Sequence, residues 1–515
     1  MLNWDSPVVI VYAAILAALS LYGLHRYVIL YLYIRNHKRG PARSIPPAPP
    51  DGWPSVTIQL PLYNEVYVAR RVIEAAAAIR YPRHRLRIQV LDDSTDETTR
   101  IAREAANALR ARGINVDFRH RETRRSYKAG ALQEGLDATG DELVAIFDAD
   151  FVPPADFLEK TVPHFRDARV GMVQTRWTYL NREYSLLTRV QALLLDGHFA
   201  LEHTARSCSG RFFNFNGTGG VFRRAAILDA GGWQGDTLTE DLDLSYRAQL
   251  RGWRFVFLPS VECPSELPVD IFGLKNQQHR WTKGSIQVGR KLLPRIWRSD
   301  APLKVKLEAT FHLSANLSYL LLVVLSVLMP FAVVARAKAV AHGPFVIEAV
   351  VFGLTTASVL LFYTFAQREL HRDWRLRARD IPCILAIGAG MCVNNAWAVA
   401  EALLGRETPF VRTAKYRIES LRDCWKEKVY RSSQRPSLFV ELALAAYMSA
   451  GFCAIAWMRE WAALPYLGLF VAGYSGVFGL SLAHGRRRSP DPVLSIPVTD
   501  VSPGSPQPDL VAEGQ

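Results

Sequence analysis

The sequence predicts an α/β domain with a doubly wound parallel sheet, inserted between the helices of an integral membrane protein. Two observations support the domain. Strand-like runs alternate with helical patterns between residues 54 and 150, and the strand ends collect carboxylates. A third observation supports the membrane part: long apolar runs at 8–34 and 310–484 flank a mixed region at 40–300. Strands alternating with helices imply a parallel sheet covered on both faces. A spanning helix needs about 20 mostly apolar residues.

The charge pattern narrows the partners. The chain has 515 residues and a net charge of +14, which could indicate nucleic acid. The basic residues instead sit beside apolar segments: IRNHKRGPAR after the first, QRELHRDWRLRAR at 367–379, VRTAKYRIESLRDCWKEKVYRSSQR at 411–435 and GRRR at 485–488. Cytoplasmic loops of membrane proteins are charged in this way, so no nucleic-acid partner is expected. The six cysteines (208, 263, 383, 392, 424 and 453) include no Cys-x-x-Cys pair. Neither a zinc site nor a disulfide framework is indicated.

Taken in order, residues 1–34 read as an N-terminal anchor, with the apolar run Val8–Ile34 interrupted by His25 and Arg26. The run is too long for a signal-peptide core. Its N-terminus is expected outside, with Arg35, Lys38 and Arg39 inside. Residues 35–300 form the cytoplasmic domain and 301–484 the C-terminal membrane region. That region has four expected spans: Phe311–Val334, Phe345–Ala366, Ser437–Met458 and Trp461–Ala483. Asp380–Leu404 carries Asn394, Asn395 and Glu401 between two basic stretches, so it is expected at the cytoplasmic interface; a sixth span is the alternative. Residues 405–436 form a loop, and the Pro-, Ser- and Asp-rich tail at 485–515 is expected to be disordered.

Within the domain, PSVTIQLPLYNE, RLRIQVLDDS, INVDFRHR and DELVAIFDADFVPP read as four strands. NEVYVARRVIEAAAAI and DETTRIAREAANALRARG, the second stopping at Gly113, read as helices. In such sheets ligands bind at the carboxyl ends of the strands, where Asp92, Asp93, Asp148 and Asp150 fall.

FDADF sets two carboxylates two residues apart after a buried strand. Mg2+ and Mn2+ prefer such oxygen ligands and often keep phosphates in their shell. TLTEDLDLSYRAQL places Thr239, Glu240 and Asp241 at a helix start. Asp241 suits a general base, although capping and the helix dipole would favour the same residues. FFNFNGTGGVFRR can bring backbone close to a ligand or form a tight turn. SYKAGAL is expected to place Lys128 in a loop, where it could meet a phosphate or be solvated. QQHRWTKG crowds donors and an indole just before the apolar region. Trp281 there could be an interfacial anchor.

In order, the chain shows LDDS, YKAGAL, FDADF, FNGTGG, TED, QQHRW and FVRTAK. This set resembles the processive family 2 glycosyltransferases of the cellulose synthase superfamily. The likeness is close over about residues 54–290 and follows the layout beyond. It is nearest to the cellulose-synthase-like A and C groups, through IQVLDDSTDETT, VAIFDADF, VPHF, NFNGTGGV and VECPSELP.

The resemblance implies a GT-A type nucleotide-sugar-binding domain and an inverting, processive enzyme. Its product would be a β-linked, β-1,4 polysaccharide such as mannan, glucomannan or glucan, exported across the membrane. Asp93, with Asp92 beside it, would contact the nucleotide, and Lys128 the diphosphate. Asp148 and Asp150 would bind the diphosphate and its Mg2+ or Mn2+. Asp241 would be the catalytic base. Gln277, Arg280 and Trp281 match Q-x-x-R-W, where Trp281 would hold the acceptor end and Arg280 the leaving diphosphate. Phe410, Thr413 and Lys415 match a gating loop in which Arg412 replaces the usual Val. The alternative reading of that loop is a basic juxtamembrane segment.

The donor expected from this resemblance is GDP-mannose or UDP-glucose. The partners are the growing polysaccharide and membrane lipid. The compact chain fits a bacterial inner membrane better than the Golgi, with the site facing the cytosol. The competing readings are a non-processive transferase adding one sugar to a lipid, and a transporter or sensor that only binds nucleotide sugars. The intact T-E-D speaks against the last.

Overall fold

The computed structural model describes residues 7–39, 46–47, 52–337, 343–408, 411–428, 430 and 438–485. Phe410 and the tail beyond residue 485, both named above, lie outside the described residues.

A 30-residue helix, α1 (Pro7–Asn36), precedes the sheet domain. Then β1 (Val56–Leu62), α2 (Ala69–Ala77), β2 (Leu86–Asp92), α3 (Thr98–Ala111), β3 (Val116–His120), α4 (Tyr127–Asp137) and β4 (Leu143–Ile146) alternate; α4 stands where a loop was expected, and Lys128 lies in its first turn. These strands pair in parallel in the order β3-β2-β1-β4. Leu143 to Ile146 are all fully buried, as expected of a parallel strand covered on both faces. Helices α2 and α3 turn small apolar stripes inward: Ala69, Val72, Ile73 and Ala76 on one, Ala102, Ala105, Ala106 and Leu109 on the other.

Beyond β4 the sheet is mixed rather than purely parallel, and this half was not read from the sequence. The chain continues through α5 (Phe157–Thr161), β5 (Val170–Tyr179), α6 (Leu186–Gly197), α7 (Thr204–Cys208), β6 (Gly220–Arg223), α8 (Arg224–Asp229), α9 (Glu240–Leu250) and β7 (Arg254–Ser265). The full order is β3-β2-β1-β4-β6-β5-β7, with β6 antiparallel to both neighbours. Its four residues follow a turn in which Gly217 (φ +83°) and Gly219 (φ +64°) take the left-handed conformation that favours glycine. The reversal sets Gly220 opposite Ile146, so the NGTGG turn meets the carboxyl end of β4. Gly219 N donates to Ile146 O (2.9 Å) and Asp148 N to Thr218 Oγ1 (2.9 Å).

A 28-residue helix, α10 (Ile271–Arg298), leads from the sheet domain to the membrane region. It spans about 42 Å at 1.5 Å per residue. After it come α11 (Leu303–Ser314), α12 (Leu317–Ala337), α13 (Gly343–Leu370), α14 (Trp374–Arg377), α15 (Ile381–Leu403), α16 (Leu438–Trp457) and α17 (Leu464–Gly485). The expected span at 311–334 is divided, with residues 311–314 closing α11. Among the described residues, six helical segments are long and apolar enough to cross a membrane: 7–36, 317–335, 350–370, 374–403, 438–457 and 461–485. They mark the chain as a membrane protein.

The segment expected at the interface, 380–404, is largely the continuous helix α15, and it satisfies the same length and composition criterion as the others. It is also the most enclosed, with 56% of its apolar window buried against 22–33% for the other five. Its polar residues face neighbours rather than lipid. Asn394 Nδ2 donates to Lys275 O (3.0 Å), and Glu401 accepts from Trp397 Nε1 (2.7 Å) and lies 3.1 Å from Lys283 Nζ.

Candidate active site

An open cleft lies at the carboxyl ends of β1, β2 and β4. Its lining includes Asp93, Lys128, Asp148, Asp150, Asp241, Gln277, Arg280, Trp281, Thr413 and Lys415. Residues as far apart in sequence as Asp93 and Lys415 therefore meet in one place. Of the candidates, Asp92 is not in this lining. It is fully buried beneath it, accepting from Ser94 N (3.2 Å), Thr99 Oγ1 (2.7 Å) and His120 Nδ1 (2.8 Å).

Each acidic residue at the end of β4 holds an ammonium. Lys128 Nζ is 2.5 Å from Asp148 Oδ1 and donates to Gly217 O (2.9 Å). Lys415 Nζ is 2.6 Å from Asp150 Oδ2 and donates to Glu266 O (3.2 Å). Burial alone would lower the Lys128 pKa, but Asp148, Glu240 and Asp241 outweigh it and the net shift is upward.

Asp241 sits in the first turn of α9, with its own carboxylate accepting from Leu242 N (2.8 Å). Burial, reinforced by the Glu240 carboxylate and opposed by Lys128, pushes its carboxyl up to about 7. Gly217 lies directly against it: a Cβ there would be 3.0 Å from Asp241 Oδ2. A second close approach fixes the start of α9 to α10. A Cβ on Gly284 would come within 2.5 Å of the Thr239 side chain, so only glycine fits between TED and the Q-x-x-R-W helix. Thr239 is the N-cap residue of α9 but makes no side-chain capping bond.

Gln277, Arg280 and Trp281 lie on one stretch of α10, at i, i+3 and i+4, and so share a face. Trp281 is partly buried against the sheet domain's core as well as lining the cleft, rather than standing at a lipid surface. The helix is held from the membrane side. Lys275 Nζ lies 2.5 Å from Glu441 Oε1 on α16 and 2.8 Å from Ser481 Oγ on α17, all three buried. Lys283 Nζ bonds Glu401 and Thr408.

The remaining wall comes from loops. Arg121 forks onto Asp93 with two 2.6 Å bonds, and the Arg124 guanidinium lies 3.3 Å from the Tyr63 ring centroid. Residues 411–418 dock over the cleft edge: Tyr416 N donates to Glu266 Oε1 (2.9 Å), while Tyr416, Ile418 and Trp425 pack around Val269. Arg412 pairs with Glu65 Oε2 (3.3 Å) and stacks 3.9 Å from the Tyr430 ring centroid. Burial raises the Glu65 carboxyl to about 8 despite Arg412, and Asp150 adds to the rise.

Tyr63, Glu65, Arg124, Asn216 and Glu266 line the cleft but were not singled out from the sequence. Tyr63 and Glu65 follow β1 as Asp93 follows β2, so the strand-end rule applied to β1 would have found them. Arg124 carries no comparable signal.

Comparison with known proteins agrees with this geometry. Residues 54–284 match the model of the family described as glycosyltransferase like family 2. The chain is 42% identical over 253 residues to glucomannan 4-beta-mannosyltransferase 7 of Arabidopsis thaliana, covering 48% of this chain and 46% of the relative. It is 42% identical over 269 residues to glucomannan 4-beta-mannosyltransferase 1 of Oryza sativa subsp. japonica, covering 51% of each. The aligned part thus spans about half the length of the curated relatives it matches. Among solved structures, a mannosyltransferase from Pyrobaculum calidifontis, in complex with GDP-Man and Mn2+, superposes with a TM-score of 0.52 at 22% identity. It covers 77% of this chain and 100% of that one, a likeness of fold.

Proposed function

We propose that this chain, whose residues 54–284 match the model described as glycosyltransferase like family 2, is an inverting, processive membrane glycosyltransferase. It builds a β-1,4-linked mannan, glucomannan or glucan from a nucleotide sugar and passes the product outward between its spans. The observation that carries the reading is the convergence of Asp241, Asp148, Asp150 and Trp281 on one cleft.

In this reading the Asp241 carboxylate takes the proton of an acceptor hydroxyl. The freed oxygen attacks the anomeric carbon, the bond to the nucleotide diphosphate breaks, and the configuration inverts from α to β. A carboxyl poised near 7 suits that exchange. Lys128 and Arg280 place positive charge at the diphosphate. Trp281 stacks on the acceptor sugar, as an aromatic face can on an apolar ring face. Asp93 meets the nucleotide through the Arg121 pair, and Thr413 and Lys415 cover the donor.

Asp148 and Asp150 would hold Mg2+ or Mn2+, which neutralises the leaving diphosphate when bound. The residues fit such an ion. Two carboxylates balanced by two ammonium groups match the charge of one divalent cation. Among the described residues no group of three or more His, Cys, Asp or Glu is placed to hold a metal ion by itself, so diphosphate oxygens and water would complete the shell.

GDP-mannose is favoured as donor over UDP-glucose because the similar proteins are named mannosyltransferases. The domain plan is an anchor at 1–34, a cytoplasmic catalytic domain at 35–300 and a membrane region at 301–484, with the cleft facing the cytosol. Purified membranes supplied with each radiolabelled donor and Mg2+ or Mn2+ test the reading. A long product cut by β-1,4-mannanase or β-1,4-glucanase supports it. A lipid-linked product of one or two sugars, or no metal-dependent product, overturns it.

A further inference from the structure

Beside the cleft lies a second pocket that the mechanism above does not use. The two share a wall formed by Lys128, Leu238 and Glu240. The second pocket opens between the start of α4, the segment before α9, one face of α10 and residues 407–408 after α15. Gln277, Arg280 and Trp281 line the cleft and not this pocket.

One side of it is built from costly backbone. Ser126 (φ +57°) and Tyr127 (φ +49°) are consecutive non-glycine residues in the left-handed region. Such backbone persists only where its surroundings impose it, and it gathers at binding sites. Here Arg121, which also forks onto Asp93, donates to Arg125 O (3.2 Å) and Tyr127 O (2.8 Å). Gly235 closes on the same turn: a Cβ there would be 2.7 Å from Ser126 Cβ.

Two polar groups are left to face this space. Thr237 is only 8% exposed and lines the pocket, and its Oγ1 has no hydrogen-bond partner among the described residues. A buried hydroxyl is unfavourable until something bonds it. Gln287 gives its Oε1 to Leu238 N (3.0 Å), which leaves its amide N–H donors for the pocket. Glu240 adds a carboxylate that both spaces share.

The charges argue against an ionic ligand. Lys128 is matched by Asp148, Lys283 by Glu401 and Asp236 by Lys291. Neither lining ammonium is left for a phosphate. Among the described residues no group of three or more His, Cys, Asp or Glu is placed to hold a metal ion. What remains is a hydroxyl, amide donors and a carboxylate acceptor beside the Tyr127 side chain. That set suits a neutral molecule rich in hydroxyls.

We propose that this pocket is a second saccharide site, separate from the acceptor platform at Trp281, and that it takes a short neutral oligosaccharide through Thr237, Gln287 and Glu240. Its bearing on synthesis, through the shared Glu240, rests on the glycosyltransferase reading above; the binding itself does not.

The test is equilibrium binding of radiolabelled mannobiose and cellobiose, both β-1,4 disaccharides, to full-length protein. Thr237→Val and Gln287→Glu are each made alone and together with Trp281→Leu, which removes the acceptor platform. GDP affinity and thermal stability report folding, and inorganic pyrophosphate is the anionic control. Thr237→Val removes a hydroxyl that no protein group uses, so stability should not fall. Gln287→Glu keeps the acceptor for Leu238 N and loses the donors. Disaccharide binding should persist in Trp281→Leu and weaken about five- to ten-fold on adding either change, one neutral hydrogen bond each. Binding that vanishes in a folded Trp281→Leu, binding that Thr237→Val leaves unchanged, or pyrophosphate binding that Thr237→Val weakens instead overturns the proposal. If Trp281→Leu does not fold, the single variants decide by the same comparison. A wild type that transfers no sugar from GDP-mannose or UDP-glucose overturns the glycosyltransferase reading, and the disaccharide titration still decides this one.

Discussion

The Nζ of Lys415 lies 2.6 Å from Oδ2 of Asp150, so the loop between α15 and α16 reaches across the cleft to the end of β4. The loop thereby places a monovalent cation where the proposed divalent one would bind. Removing that ammonium should ease metal entry. Lys415→Met is expected to bind Mn2+ more tightly, by several-fold to about ten-fold, since an enclosed ion pair exceeds the roughly 0–1 kcal/mol of a surface one. Mn2+ electron paramagnetic resonance titration reads this without turnover, and equal affinities would show that Lys415 does not compete.

Asp241→Asn should lower polymer synthesis by about 10²- to 10⁴-fold, the contribution of a general base. Nucleotide affinity should survive. In wild type, kcat/KM should rise with pH through its half-maximum near 7 and level off above it, because only the deprotonated carboxylate accepts the hydroxyl proton and burial has raised its pKa to about 7. A flat profile between pH 5.5 and 8 would contradict the assignment.

Gly284→Ala drives a methyl group into Thr239 at 2.5 Å. Overpacking of this kind costs about 1–3 kcal/mol, and here it also displaces the start of α9, which carries Asp241. Lower thermal stability with disproportionate loss of activity is expected. Gly479, with nothing within 4 Å of an added Cβ, supplies the control: Gly479→Ala should change neither measurably.

Glu441→Ala strands the Lys275 ammonium among buried neighbours. Breaking a buried pair from one side costs about 3–5 kcal/mol. Burial already lowers the Lys275 pKa while Glu441 opposes the shift, so losing Glu441 lowers it further. Unfolding in detergent should therefore occur earlier, and the double variant Lys275→Met/Glu441→Ala should recover part of the loss.

Much of this molecule was legible in the sequence, and the gaps have physical causes. β1 to β4 announced themselves because parallel strands buried on both faces read as apolar runs. β6 did not: its four residues follow a glycine-rich turn, and its direction is set by pairing with β4 and β5. Asp148, Asp241 and Trp281 were found as motif residues, yet that they share one cleft is tertiary information. Asp92 shows the reverse error. Its place at a strand end made it a ligand candidate, while the fold spends its carboxylate on Ser94, Thr99 and His120. The amides and Glu401 of α15 argued for an interfacial segment because a sequence does not display partners such as Lys275 and Lys283 on a neighbouring helix.

Helix α10 bears Trp281 at the cleft and Lys275 against the start of α16 and the end of α17, less than two turns apart on one rod. Spans re-tilt when the bilayer is thicker or thinner than their apolar length. Any such tilt of α16 or α17 is carried through Glu441 and Ser481 to the indole above. The expected outcome is that, in vesicles of graded acyl-chain length, the turnover rate passes through an optimum.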